Sequence, residues 1–107
     1  MVDAEVRIAK GRADAVEKTT DSIYVFEFKM DKKDTAEGAL AQIDTNGYLI
    51  PYIADSRRLV KVGVELNIDA RGITRWVVST NRIQEERIRK NLWQKIREFV
   101  AFIENNA

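Results

Sequence analysis

The stretch from Ser22 to Met30 (SIYVFEFKM) restricts the possible folds of this chain more than any other segment. Side chains alternate between the two faces of a strand. One face of this stretch carries an aromatic-rich apolar row, and the other begins with Ile23 and Val25 before it reaches Glu27 and Lys29. A strand that is apolar on both faces lies inside a sheet and is covered on both sides. The sequence therefore predicts a central strand with helices on both faces of its sheet.

A second strand precedes the central one and pairs with it through a tight turn. The stretch from Arg12 to Thr19 (RADAVEKT) reads as this strand, and Thr20-Asp21 fits a two-residue hairpin turn. If this turn closes the hairpin, Asp14 lies directly opposite Glu27. Two carboxylates that face each other across a strand pair repel. A sheet tolerates such a pair when a cation lies between the two groups.

The predicted pair of carboxylates suggests a metal site. Oxygen ligands at this spacing suit a hard divalent ion such as Mg²⁺ or Mn²⁺. Lys29 lies on the same strand face as Glu27, where it could position or deprotonate a water at that ion. The alternative is that Glu27 and Lys29 belong to the solvated face of an edge hairpin. The apolar neighbours Ile23 and Val25 on the same face favour the metal site.

The remaining segments complete an α/β fold with a mixed central sheet of about four to five strands. Further strands are predicted at Ala4 to Ile8, Leu59 to Leu66 (LVKVGVEL) and Ile73 to Ser79 (ITRWVVS). Asp34 or Thr35 can cap a helix that ends at the stop signal Asn46-Gly47. Because this helix connects two strands of one sheet, those strands should be parallel. The stretch from Tyr48 to Arg58 reads as a loop with a short helical turn.

A long helix is predicted at the end of the chain. Asn81 and Gln84 resemble a capping box, and the helix should continue nearly to Asn105. An apolar stripe at helical spacing should be buried and consists of Ile88, Leu92, Ile96, Phe99 and Ile103. The charged face of this helix carries both signs, which argues against a dedicated DNA-binding helix.

Composition excludes several kinds of chemistry. The 107 residues contain neither cysteine nor histidine, which excludes disulfides, thiolate or imidazole metal sites and serine–histidine triads. Hydrolysis would therefore depend on carboxylates, lysine and a metal ion. The formal net charge of +1 gives no sign of a nucleic-acid partner, so only a local basic rim could provide one. The candidates for such a rim are Lys10, Arg12, Lys32, Lys33, Arg57 and Arg58.

Targeting signals are absent from the sequence as given. There is no apolar run near membrane-spanning length and no apolar core of a signal peptide, so we expect a cytoplasmic protein without membrane contact. We expect residues 1–107 to form one domain.

Four stretches of the chain resemble the PD-(D/E)XK nuclease superfamily, in particular a bacterial branch often found behind an ATPase-like domain. They occur in the order and at the spacing of that family, and the match covers roughly residues 5–80. The stretches are GRADAV (Gly11 to Val16), IYVFEFKMDK (Ile23 to Lys32), ALAQIDTNGYLIPY (Ala39 to Tyr52) and KVGVEL (Lys61 to Leu66).

The resemblance implies Mg²⁺-dependent (or Mn²⁺-dependent) hydrolysis of phosphodiester bonds in DNA. By this resemblance Asp14 and Glu27 would bind the metal together with the backbone carbonyl of Phe28, and Lys29 would serve the attacking water. Gln42 matches the glutamine of the family's helix, although it could also be a boundary residue of that helix.

Three residues are candidates for contact with DNA. Tyr48 matches a tyrosine that follows the glutamine in the family, and its alternative is a packing role. Lys10 and Arg12 precede Asp14 and are expected to contact DNA together with Tyr48.

The sequence differs from the family pattern at both of its ends. The family core begins with a helix before the first strand, so we expect a restriction-endonuclease-like core that lacks this usual first helix. The helix within residues 81–107 lies outside the match. Two alternatives to a nuclease stay open, namely a non-catalytic module for DNA binding or assembly and an engineered or rearranged form of the domain. Besides DNA, a second copy of the chain in a homodimer is a candidate partner.

Overall fold

The computed structural model describes residues 3–9, 12–30, 34–67, 72–80 and 85–106. Within these residues the chain forms five strands and two α-helices, with a short 3-10 turn at Ile50–Tyr52. In chain order the elements are β1 (Asp3–Ala9), β2 (Arg12–Lys18), β3 (Ser22–Met30), α1 (Ala36–Thr45), β4 (Arg58–Asn67), β5 (Gly72–Thr80) and α2 (Glu85–Asn106). The predicted strands, the first helix and the long last helix are confirmed. The predicted start of the last helix, at Asn81 and Gln84, lies outside the described residues.

The five strands form one mixed sheet in the order β1-β2-β3-β4-β5. The strand pair β3–β4, which α1 connects, is parallel, and the other three pairs are antiparallel. β3 therefore lies in the centre of the sheet, as its apolar faces predict. The interpretation of Glu27 and Lys29 as part of a solvated edge hairpin is wrong, because β3 has a neighbour on each side.

A tight turn determines how β2 pairs with β3. The N–H of Thr19 donates to the carbonyl of Ser22 at 2.8 Å, and the Thr19 hydroxyl accepts from the N–H of Ser22 at 3.1 Å. This closure sets Asp14 opposite Glu27 in the strand ladder, as predicted. Since side chains alternate, a slip of one residue would move Asp14 to the other face of the sheet.

α2 covers one face of the sheet with an aromatic core. Tyr24, Phe26 and Phe28 are buried on this face of β3. The Phe99 ring of α2 lies with its centroid 5.0 Å from that of Phe26 and tilted to it. The predicted stripe is confirmed at its described side chains, which are Leu92, Ile96, Phe99 and Ile103. The side chain of Ile88 lies outside the described part of the chain. Neither helix, within the described residues, has the combined length and apolarity that a membrane span needs.

α1 covers the other face and packs very closely on β4. A Cβ atom at Gly63 would collide with the carbonyl oxygen of Ala36 and would come within 2.8 Å of the backbone nitrogen of Leu40. The backbone of α1 therefore rests directly on Gly63, which is the ladder partner of Glu27. This close approach brings the inward face of α1 to the carboxylate pair.

Two contacts hold the N-terminus of α1. Thr35 is the N-cap, and its hydroxyl accepts from the N–H of Gly38 at 2.9 Å. Glu65 of β4 accepts from the N–H of Ala36 at 2.8 Å. Both bonds satisfy donors that the first turn of a helix leaves open. A carboxylate there also interacts favourably with the helix dipole.

Replacement of Phe99 by alanine should destabilise the domain strongly. Phe99 is 8% exposed between two rings of β3, so its loss should cost roughly 3–5 kcal/mol. Phe102→Ala is the matched control, because Phe102 is 47% exposed on the same helix and should cost roughly 0.5 kcal/mol or less. Urea unfolding followed by circular dichroism measures both. Equal losses would contradict the packing of α2 on the sheet.

Replacement of Gly63 by alanine should displace α1. The new methyl group would meet helix backbone, which cannot move out of the way alone, so we expect a loss of about 1–3 kcal/mol. Gly38→Ala is the control, because its methyl group would meet only the exposed side chain of Asp34, and alanine favours a helix by up to about 1 kcal/mol. In thermal unfolding, the midpoint temperature should fall for Gly63→Ala and should stay equal or rise for Gly38→Ala. A neutral Gly63→Ala variant would mean that α1 does not rest on β4 in solution.

Candidate functional site

Two carboxylates face each other on the α1 side of the sheet. Asp14 of β2 and Glu27 of β3 are direct partners in the ladder. Glu27 is completely buried, whereas the Asp14 side chain keeps 16% of its surface exposed. The pair therefore has a buried member under α1 and a member at the rim that solvent can reach.

Lys29 lies beside this pair and is bound by α1. It is 7% exposed, and its ammonium group donates a hydrogen bond to the side-chain oxygen of Gln42. A buried charge is costly unless it has a hydrogen-bond partner, and the amide oxygen provides one. Gln42 is thus more than a boundary residue of α1, because its side chain turns to the sheet and meets Lys29.

The carboxylate of Asp14 receives two further donors. Nε of Arg7, on β1, donates to Oδ1 at 2.9 Å, and the hydroxyl of Tyr48 donates to Oδ2 at 3.4 Å. The Arg7 guanidinium also lies over the Tyr48 ring, 5.7 Å from its centroid. The hydrogen bond and the charge of Asp14 raise the pKa of Arg7 above its ordinary value. Asp14 is therefore an electrostatically compensated group at the rim.

The end of α1 brings Tyr48 into this position. Gly47 adopts a positive φ of 68°. The N–H of Gly47 donates to the carbonyl oxygen of Asp44 at 3.0 Å, and the N–H of Tyr48 donates to the carbonyl oxygen of Ile43 at 3.1 Å. These two bonds form a Schellman motif, which reverses the chain at a helix end. The predicted stop signal Asn46-Gly47 is confirmed, and it directs Tyr48 back over the sheet to Asp14.

Arg7 and Glu65 are site residues that the sequence reasoning missed. Arg7 is the ladder partner of Asp14 in the β1–β2 pair. In the sequence, Lys10-Gly11 is a candidate for a tight turn, and a hairpin register counted from these two positions could have found this partner. Glu65 is the ladder partner of Lys29, and its bond to Ala36 ties the site face to the start of α1. Position on the strand alone gives no signal of that bond.

The other candidates for a basic rim divide by location. Lys10, Lys32 and Lys33 lie outside the described residues. The backbone of Arg12 lies in β2 opposite Lys29, while its side chain lies outside the described part.

Arg57 and Arg58 lie at the other end of the sheet, where Arg58 is the ladder partner of Ser22. Side-chain hydrogen bonds from Arg57 lower the pKa of Asp55 to about 2, so the charge of Arg57 is already compensated. These two arginines do not join the site.

The donor set at Asp14 and Glu27 fits a small divalent cation. No group of three or more Asp or Glu side chains in the described residues is arranged to hold an ion. Two carboxylates are nevertheless sufficient for Mg²⁺, which keeps several waters and often binds through one or two carboxylates. Phe28 directs its ring to the α2 face, so it could contribute only its main-chain carbonyl, next to Glu27. The oxygen donors fit Mg²⁺ or Mn²⁺ rather than a fully caged ion.

Comparison with known proteins identifies a family for this chain. A family model described as the PD-(D/E)XK nuclease superfamily matches residues 1–76, which include the strands and the helix that carry the carboxylates, Lys29 and Gln42. Neither a search of curated proteins nor a search of solved structures finds a match. Nucleases of this superfamily generally use divalent metal ions. Because the matched residues make up well over half of the 107 residues, the chain belongs to the PD-(D/E)XK nuclease superfamily.

Proposed function

We propose that this domain hydrolyses phosphodiester bonds in DNA with the help of Mg²⁺ or Mn²⁺. One observation carries the proposal. A facing pair of carboxylates, Asp14 and Glu27, lies next to a buried lysine that α1 holds through Gln42. Buried charges of this kind are expensive for a small domain. Their juxtaposition is therefore more typical of a reactive site than of a structural one.

Asp14 and Glu27 would hold the cation, with the backbone carbonyl of Phe28 as a further ligand. Such a cation, when bound, withdraws charge from the phosphate and favours the ionisation of water. Glu27 is rigid because it is fully buried under α1, so it would fix the location of the site. Asp14 is at the rim, where substrate phosphate can approach.

Lys29 would orient the attacking water. An ammonium group has three N–H donors, and Gln42 accepts one of them. The remaining donors can be directed at the water and at an oxygen of the phosphate. Gln42 would act as a positioning residue, since it restricts the rotation of the ammonium group without contact with the substrate.

Contacts to the DNA backbone would come from the rim around Asp14. Tyr48 donates to Asp14 and is half-buried, so its hydroxyl lies where a phosphate would arrive. Arg12 starts β2 at the same end of the sheet, and Lys10 precedes it in sequence. Phosphate contacts of this type position a nucleic acid without reading its sequence.

The second candidate is a non-catalytic module for DNA binding or assembly. It is favoured by the donors that already engage both oxygens of Asp14. It is also favoured by the small number of acidic ligands in the described part of the chain. Metal binding and cleavage assays separate the two candidates.

Replacement of Lys29 by alanine should separate metal binding from cleavage. The variant loses a group that orients water but keeps every oxygen ligand, so Mn²⁺ should bind at least as tightly while cleavage falls about 10²-fold or more. Asp14→Ala should lose both properties. Calorimetry with Mn²⁺ and cleavage of plasmid and single-stranded DNA, with EDTA as a blank, measure these effects.

Lys61→Ala is the matched control for Lys29→Ala. Lys61 lies on the neighbouring strand, and its ammonium group also bonds to a side chain of α1, Asp44, at 2.8 Å. The Lys61→Ala variant should cleave DNA at the rate of the parent. Equal cleavage by the parent and Lys29→Ala would refute the role of Lys29. A parent that cuts neither DNA nor RNA with any divalent ion would favour the non-catalytic module.

Replacement of Glu27 by glutamine should remove the metal response without loss of stability. Relief of repulsion with Asp14 should leave the metal-free variant equally stable or more stable by about 0.2–1 kcal/mol. Mn²⁺ at about 100 times its Kd should stabilise the parent by about 2.7 kcal/mol but not the variant. Thermal unfolding with Mn²⁺ and with EDTA gives both values.

Glu17→Gln is the matched control for Glu27→Gln. Glu17 is also a buried glutamate, but it lies on the α2 face and bonds to the ammonium group of Lys95 at 2.8 Å. The free energy of unfolding of this variant should fall by roughly 1–2 kcal/mol, while Mn²⁺ should stabilise it as much as it stabilises the parent. Equal thermal shifts in the parent and Glu27→Gln would exclude a metal site shared by the two carboxylates.

A further inference from the structure

Arg7 occupies the rim of the proposed metal site. Its Nε donates to Oδ1 of Asp14 at 2.9 Å, while the Arg7 side chain itself is 60% exposed. The guanidinium also lies 5.7 Å from the centroid of the Tyr48 ring. A largely exposed cation therefore contacts one of the two carboxylates that would hold a divalent ion.

A divalent ion and the Arg7 guanidinium compete for the charge of Asp14. Each carboxylate oxygen has two acceptor sites, so geometry alone allows both cations. However, a divalent ion and the Arg7 guanidinium that contact the same carboxylate repel each other, because both are positively charged. An ion pair with a largely exposed partner is weak, so a bound divalent ion should displace Arg7 from Asp14.

The displaced guanidinium would remain at the rim. Its contact with the Tyr48 ring does not depend on the charge of Asp14, and cation–π contacts of this kind persist at exposed sites. The planar guanidinium matches the geometry of a phosphate group. The approaching nucleic acid supplies such groups at the same rim.

We propose that Arg7 exchanges partners when the divalent ion binds. In the metal-free domain it neutralises Asp14, and in the metal-bound domain it contacts a phosphate of the DNA backbone. This inference rests on the proposed function, and it gives β1 a part in the site. Metal binding and DNA binding then support each other, because the ion releases a phosphate-binding group.

The first test is the affinity for Mn²⁺ of an Arg7→Ala variant, measured by calorimetry without DNA. Removal of the competing cation should tighten Mn²⁺ binding by about two- to fivefold. A role limited to the orientation of Asp14 would weaken binding instead.

The control variant is Arg97→Ala. Arg97 is exposed on α2 and lies 5.9 Å from the centroid of the Trp93 ring, so it matches Arg7 in charge and in stacking. Its removal should leave the affinity for Mn²⁺ unchanged.

The second test is the salt dependence of binding to a short DNA duplex, with both arginine variants built on the Lys29→Ala background to prevent cleavage. Loss of one phosphate contact makes the slope of log K against log salt less negative by about 0.9. This difference should appear for Arg7→Ala in Mn²⁺ and disappear in EDTA, where Arg7 stays on Asp14. The Arg97→Ala variant should have the same slope as the Lys29→Ala background, both in Mn²⁺ and in EDTA.

The outcomes are distinguishable. Weaker Mn²⁺ binding by Arg7→Ala, or a slope difference that is equal in Mn²⁺ and EDTA, overturns the exchange of partners. If the parent binds Mn²⁺ and DNA but Arg7→Ala behaves like Arg97→Ala, this inference fails and the proposed function stands. A parent that does not bind Mn²⁺ overturns both.

Discussion

The pairing of β2 with β3 is the constraint on which the rest of the site depends. The short turn between Thr19 and Ser22 closes this hairpin through two hydrogen bonds. With this register Asp14 faces the buried Glu27. With a shift of one residue Asp14 would point into the aromatic core under α2, and the carboxylate pair would not exist.

The two faces of β3 differ in the kind of side chains that they bury. The α2 face of β3 is mostly aromatic and carries no Asp, Glu, Lys or Arg side chain. The rings of Phe26, Phe28 and Phe99 contact one another there. The α1 face begins with apolar side chains and ends with Glu27 and Lys29, both buried. Apolar burial on one side of the strand therefore offsets the cost of charges on the other.

α1 is held to the sheet at points that surround the site. Glu65 binds its first N–H group, and its middle rests on Gly63. Gln42 projects from a helix that is restrained at its start and along its middle. This explains how a long and flexible lysine side chain, Lys29, can have a defined direction in a domain of this size.

The sequence by itself determined the elements, the central place of β3, the register of the hairpin and the cap and stop signals of α1. These features depend on local propensity and on side-chain alternation, which a reader can count along the chain. Lys29 was a candidate from its position on the strand face of Glu27, and Gln42 was a candidate from a resemblance. Only the fold brings the two side chains into contact.

The tertiary structure alone decided the partners of the charged groups. Arg7 meets Asp14, Glu65 meets the start of α1, and Arg57 turns to Asp55 rather than to the site. Long charged side chains reach many neighbours, and their choice depends on which elements pack nearby and how much water remains between them. The close approach at Gly63 has the same origin, because the distance between a helix and a strand is set by packing across the whole interface.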